Sequence, residues 1–360
     1  MWPYYLLIFI PLLFEFLELI IQSNYGSFSK KKSSNFSIAL FFFIWGVMLA
    51  CRSTYCGRDL GNYKYFFDIV SGLSLEDVFF LSPIEKLYYV FNWVVAQIYP
   101  DFRLFIVITS VLCTCITGWF YKRESSYAPL TILLFATNAC FSMFYSGLRQ
   151  SLAMLFIVPA YYFTKEKKLI FFILTVLVAL NLHSSSIIIF ILYPIFHMQI
   201  KNKDFPFVIL LITIFFIFKV PLFYILTPLL HYRHSGLHVI ETGGYAMYVF
   251  FLLCLVYSFL VLDEKKTTIE IYGLRNILLL ATLIQCFAPI HPLAMRLNYY
   301  YIMLIPIAIP KLLNAPKIGD ENAVQYSKWI LVSFLTFFFF YNAYANIGIK
   351  RIYPYIAFWE

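Results

Sequence analysis

Charge is what this sequence has least of: Asp, Glu, Lys and Arg make up 12% of its 360 residues, about half the share of a soluble domain. No polar stretch exceeds about 30 residues, so no attached soluble domain is expected. There is no Walker pattern, no D-x-D and no G-x-G-x-x-G, which leaves ATP or nucleotide-sugar binding without support. No G-x-S-x-G elbow exists and no acid stands at fixed spacing from a Ser–His pair, which argues against a serine hydrolase. The seven cysteines are scattered. Cys113 and Cys115 point to different helical faces, so they make no metal site, while Cys51 and Cys56 stand close enough in sequence to pair near a helix mouth. Repeats of fixed period, low-complexity tracts and linkers are absent, and residues 1–360 read as one domain.

What is present is apolar. Hydrophobic residues reach 62% and the mean hydropathy is +0.80. Apolar runs of 16–21 residues recur along the chain, the length a helix needs to cross a bilayer core of about 30 Å. Because these runs are continuous rather than alternating, they spell helices and not a β-barrel. The opening stretch lacks a basic flank and a small-residue cleavage site and carries Glu15 and Glu18, so it reads as a retained first helix rather than a signal peptide. Short basic connectors at 30–34, 122–126, 165–168, 201–204, 263–266 and 311–328 go to the cytoplasm by the positive-inside rule. The fold expected is therefore all-α, a polytopic transmembrane bundle with about 12 crossings and both termini outside. Residues 52–82 form an outer loop. The segment 83–99, with Glu85, Lys86, Asn92 and Gln97, is an interfacial or re-entrant helix.

Basic residues sort by type as well as by side. The cytoplasmic connectors and their flanks hold 14 lysines against Arg123 and Arg275. Arg52, Arg58, Arg149, Arg233, Arg296 and Arg351 fall outside, against three lysines. Topology is indifferent to which cation it uses, so guanidinium on the disfavoured side points to chemistry. Its planar fork binds phosphate oxygens in pairs and stays charged when partly desolvated. Arg52, Arg58, Arg149 and Arg296 are the expected pyrophosphate cradle.

Four polar groupings carry the remaining signal. At 51–67 Arg52, Arg58, Asp59, Asn62 and Tyr63 stand with Gly57 and Gly61, which permit tight turns. At 145–154 Arg149 and Gln150 open a helix, adding a cation to a positive helix end. At 181–189 His183 and three serines interrupt an apolar run, a costly placement at membrane depth. At 289–302 His291 and Arg296 flank an outer turn. His231, His234 and His238 with Arg233 form a fifth cluster whose spacing would suit a metal, although most loop histidines of this kind are simply solvated.

In order and spacing these motifs resemble the EpsG family, which overlaps the O-antigen polymerase (Wzy) group. The likeness rests on R-x5-G-R-D-x2-N-Y at Arg52 to Tyr63, Glu85 downstream, L-R-Q-x-L-A at Leu148 to Ala153, H-S-S at His183 to Ser185 and R-x2-Y-Y at Arg296 to Tyr300. It covers roughly residues 1–310. The resemblance implies a GT-C-like glycosyltransferase of the bacterial inner membrane, working at the periplasmic face with no metal, cofactor or nucleic acid. It implies transfer of a growing glycan from undecaprenyl pyrophosphate to the non-reducing end of another lipid-linked repeat unit. Asp59, Glu85 and His183 are the candidates for the base, and Asn62, Tyr63, Gln150, His291 and Tyr300 for sugar contacts. Membrane lipid and a chain-length regulator are the further partners implied. A flippase of lipid-linked oligosaccharides should show matching broken halves, and an O-antigen ligase a large outer loop; neither is evident.

Overall fold

The computed structural model describes residues 1–24, 35–82, 84–229, 245–316, 321–349 and 351–360. The basic connector at 30–34 and the cluster His231, Arg233, His234 and His238 lie outside the described residues. The described chain is helical throughout and divides into two compact units. One comprises residues 1–158, 177–184 and 326–360; the other comprises 159–176 and 185–325.

The first unit opens with α1 (Trp2–Asn24) and α2 (Phe36–Cys51), which are neighbours. Ser37 of α2 donates to the Glu15 carboxylate of α1 at 2.6 Å, so one of the acids in the first apolar run is buried with a partner. Two short helices, α3 (Leu60–Ser71) and α4 (Leu75–Phe80), pack on α5 (Lys86–Ile98). At 13 residues α5 is about 20 Å long, shorter than a bilayer core. Next comes α6 (Phe102–Glu124), which starts where the Asp101 side chain accepts the Arg103 N–H and ends with Lys122 and Arg123 in its last turn. Both ends match the helix dipole. α6 lies against α2, and a Cβ at Gly118 would meet Phe42 Cβ and Cγ at 2.9 and 3.0 Å. Glycine there sets how closely the two helices approach.

The apolar run 127–145 is two helices, α7 (Ala128–Thr137) and α8 (Ala139–Ser146), bent by 58°. Asn138 makes the break: its Oδ1 accepts the N–H groups of Cys140 and Phe141 at 2.9 and 3.3 Å, which caps a new helix inside an apolar run. Behind it Trp45 is packed by Phe42, Phe135, Phe141 and Phe144. Then come α9 (Leu148–Met154), α10 (Ile157–Lys165) and α11 (Leu169–Leu182), a 3₁₀ turn over Ser184–Ile191, and α12 (Leu192–His197).

The second unit continues through α13 (Phe205–Ile217), α14 (Lys219–Leu229), α15 (Ala246–Val261), α16 (Ile269–Gln285), α17 (Pro292–Ile302) and α18 (Ile305–Asn314). α16 neighbours α12, α13, α15, α17 and α18. Its buried Arg275 and Asn276 explain how. Asn276 donates to the carbonyls of Ile195 and Met198 at 2.9 and 2.7 Å, closing the end of α12. Arg275 donates to Asn202 Oδ1 at 2.7 Å and to the Ile200 carbonyl, with Phe259 4.0 Å beneath its guanidinium. Glu270 takes Lys165 at 2.8 Å, Lys311 at 2.7 Å and the Tyr161 hydroxyl at 3.0 Å. Burial opposes ionisation of Glu270, but the two ammonium groups win and hold it down to about 2. Lys219 stands where α13 and α14 bend by 76°, donating to the Tyr245 hydroxyl at 2.6 Å over the Phe216 ring. These partners account for a cation inside an apolar segment. The chain returns to the first unit with α19 (Glu321–Ala345) and a C-terminal segment.

Among the described residues, Phe102–Glu124 is long and apolar enough to cross a membrane. Up to three spans result if each bent pair counts as one. Shorter apolar helices include α2, α11, α15 and α18.

The two glycines of the 51–67 stretch differ. Gly57 has φ +137°, and a Cβ there would overlap the Tyr145 carbonyl oxygen. Gly61 lies in the first turn of α3 with nothing near its missing Cβ, so it serves no turn. Gly57→Ala is expected to cost about 1–3 kcal/mol or to prevent folding. Gly61→Ala is expected to be neutral or stabilising by up to ~1 kcal/mol. Thermal unfolding of the purified protein measures both, and equal effects at the two positions would refute the distinction.

Candidate active site

Three of the residues singled out by sequence meet in the first unit. Glu85 precedes α5 and does not cap it. Instead its carboxylate faces three donors from two other segments. Oε1 accepts His183 Nδ1 at 2.8 Å and the Ser184 backbone N–H at 2.9 Å, while Oε2 pairs with Arg149 Nη1 at 2.6 Å. His183 stands at the end of α11, its N–H on the Ala179 carbonyl, and Ser184 begins the 3₁₀ turn. The helix therefore ends where its first free N–H points at the carboxylate. Arg149 is in the first turn of α9, two residues past the N-cap Gly147.

Access differs among the three. The side chains of Glu85 and His183 are 10% and 9% exposed, whereas that of Arg149 is 31% exposed. Arg149 is thus the most open of the three, with a buried carboxylate fixing it from behind. Its Nε meets no hydrogen-bond acceptor among the described residues. The Tyr88 ring centroid lies 5.7 Å from its guanidinium carbon, with Tyr63 6.1 Å beyond and Tyr89 5.6 Å to the side.

Burial alone would push the Glu85 carboxyl up. The His183 hydrogen bond, the Arg149 charge and the Ser184 N–H outweigh it and hold the group down at about 2. Its folded value lies below its ordinary one, so the pairing is complete above about pH 4.5 and is lost only as pH falls toward 2. The rate–pH profile is accordingly expected to carry no limb from Glu85 between pH 5 and 9. A limb in that window that disappears in Glu85→Gln would contradict this.

The other sequence-derived candidates are placed differently. Glu85, not Asp59, is the carboxylate that meets Arg149 and His183. Asp59 is half-buried at the start of α3 and forms no pair with Arg58. Arg52 is 1% exposed, donating to the Leu49 carbonyl and to Ser110 Oγ at 3.0 Å. Burial brings it down to about 10, so it stays charged at neutral pH. Arg58 donates through Nε and Nη2 to the Ile349 carbonyl at 3.3 and 3.0 Å. Both guanidinium groups are thus used by the fold. Asn62 is exposed, Tyr63 half-buried and Gln150 buried. Cys51 and Cys56 are free thiols.

Arg296, His291 and Tyr300 belong to the second unit. Burial and neighbouring Arg296 push the His291 imidazole down, and its ring stacks on Phe223 at 5.8 Å. Tyr300 is buried with its hydroxyl 2.9 Å from Ser185 Oγ. Sequence reading missed Ser184 as a backbone donor and Tyr88 as the ring beside Arg149. The aromatic pair Tyr88 and Tyr89 three and four residues after Glu85 was the available signal.

Comparison with known proteins gives one match: the model of the EpsG family covers residues 34–357. No curated protein and no solved structure matches the chain.

Proposed function

This chain belongs to the EpsG family, whose members are Wzy-like polymerases, and on that premise we propose that it polymerises lipid-linked repeat units at the outer face of the bacterial inner membrane. The observation carrying the reading is the Glu85 carboxylate held between Arg149 and His183. An ionised carboxylate only accepts, so His183 Nδ1 carries a proton, and in the neutral form of the ring Nε2 is the basic nitrogen. In the step proposed, His183 Nε2 takes the proton of the acceptor hydroxyl as its oxygen bonds to the anomeric carbon of the donor glycan. The bond from that carbon to the lipid pyrophosphate breaks, and the leaving group carries its charge to Arg149. Glu85 orients both partners and stabilises the imidazolium that forms.

The donor is undecaprenyl-pyrophosphate-linked glycan and the acceptor is the non-reducing end of another such unit. Half-buried Tyr63, packed on the Tyr88 ring beside Arg149, offers a ring face for a sugar. The outward arginines and inward lysines support this orientation within a bundle of about 12 crossings. The test is purified protein with lipid-linked repeat units, resolved by chain length. A ladder of products that the Glu85→Gln variant fails to make is expected; translocation without any new glycosidic bond would refute the reading.

A further inference from the structure

The C-terminal segment carries none of this chemistry, yet it is fastened at many points to the turn that leads into α3. Arg52 and Ala357 form an antiparallel bridge. Ser53 N–H donates to the Ile356 carbonyl at 2.9 Å and Phe358 N–H to the Cys51 carbonyl at 3.0 Å. Arg58 holds the Ile349 carbonyl with two N–H groups. From α6, Arg103 donates to the carbonyls of Arg52, at 2.6 Å, and Ala50, and its guanidinium lies 3.9 Å over the Phe358 ring. Tyr355 donates to the Met48 carbonyl at 2.9 Å, and Tyr4 of α1 to the Ile352 carbonyl. Ile352, Tyr353 and Ala357 are buried.

The turn held in this way touches the end of α8. Gly57 sits against the Tyr145 carbonyl, and the Arg58 N–H donates to Ser146 Oγ at 3.0 Å. Arg149 follows three residues later, and Tyr63 lies one turn into α3. A continuous set of backbone contacts therefore leads from the C-terminal segment to the residues that flank the site. These contacts are carbonyl captures by forked guanidinium groups and one strand-like pairing, which fix position and contribute no chemistry.

We propose that Gly348, Ile349 and residues 351–358 are a strap that sets the position of the Arg149 site, with Arg58 and Arg103 as its positioning residues. The activity part of this inference rests on the polymerase reading; the docking part does not. Lysine at 103 would keep the charge but lose the fork that spans two carbonyls and the flat face over Phe358. A displacement near 1 Å at a reacting centre costs on the order of 100-fold in rate.

Cys56 supplies a readout independent of activity. It is fully buried next to the Ile356 backbone, whereas Cys115 is exposed and Cys113 and Cys140 are buried in helices. The full-length protein, the Arg103→Lys and Phe358→Ala variants, and a chain ending at Ile347 would be alkylated with a maleimide and read by site-resolved mass spectrometry. Cys56 is expected to react at least about tenfold faster in the shortened chain and in Phe358→Ala, while Cys113 and Cys140 stay protected. KM for the donor should rise in the same variants, and a peptide of residues 348–360 added to the shortened chain should restore both. A smaller folded fraction would instead lower Vmax at unchanged KM. Protection of Cys56 without the segment, joint exposure of Cys56, Cys113 and Cys140, or exposure of Cys56 with unchanged KM would each overturn the strap. If the unaltered protein makes no polymer, the polymerase reading falls and the labelling alone decides whether the strap docks.

Discussion

His183→Ala is expected to slow glycan transfer on the order of 10²–10⁴-fold, the usual worth of a positioned general base, with donor binding retained. Glu85→Gln should lose a comparable factor for a different reason. The carboxylate accepts from His183 Nδ1, Ser184 N–H and Arg149 together. An amide in its place keeps the shape but offers a donor to Nδ1, which favours the tautomer whose Nε2 bears the proton and cannot act as a base. It also leaves the Arg149 guanidinium without its counter-charge. Because the two residues act as a unit, the double variant should lose little more than the worse single one. Single-turnover transfer from a lipid-linked donor, at matched amounts of folded protein, is the measurement. Losses below tenfold in both single variants, or losses that multiply in the double, would remove the His183–Glu85 pair from the mechanism.

Why these residues stood out in the sequence, and why their grouping did not, has one physical explanation. An ionisable side chain inside an apolar segment is costly wherever it sits, so Glu85, Arg149 and His183 were each visible singly. Their meeting depends on the ends of α5, α9 and α11 converging, across 98 residues between Glu85 and His183, and no local pattern encodes that. Asp59 looked equivalent to Glu85 because burial cannot be read from composition. Arg52 and Arg58 looked like a cradle for the same reason, whereas their guanidinium groups end on carbonyls of the chain itself. The all-helical character followed from continuous apolar runs, but the breaks within them did not. Hydropathy averages across Asn138 and Lys219, while the helix turns by 58° at one capping side chain and by 76° at one half-buried ammonium. Asn138 was legible in principle as a capping residue just before a helix start.

The arginines divide by what their guanidinium groups touch, and substitution by lysine is expected to divide them in the same way. Arg149→Lys should slow transfer by roughly 10- to 100-fold, since one charged hydrogen bond to the leaving pyrophosphate is worth about 1.5–3 kcal/mol. Lysine retains the charge but cannot hold Glu85 and a phosphate oxygen in one plane. The loss should appear in kcat as well as KM, because negative charge on the pyrophosphate grows as the bond breaks. Arg52→Lys should behave otherwise. Its side chain is enclosed, with Leu49 and Ser110 as partners, so lysine leaves acceptors unpaired and lowers the unfolding temperature. KM should be left nearly unchanged. Arg123, in the last turn of α6 over Trp119, is the control in which lysine should change neither quantity. Thermal unfolding and steady-state kinetics on the three variants separate the cases. An Arg149→Lys protein with full activity would take the pyrophosphate away from this site. An Arg52→Lys protein of native stability and impaired KM would move it to the mouth of α2.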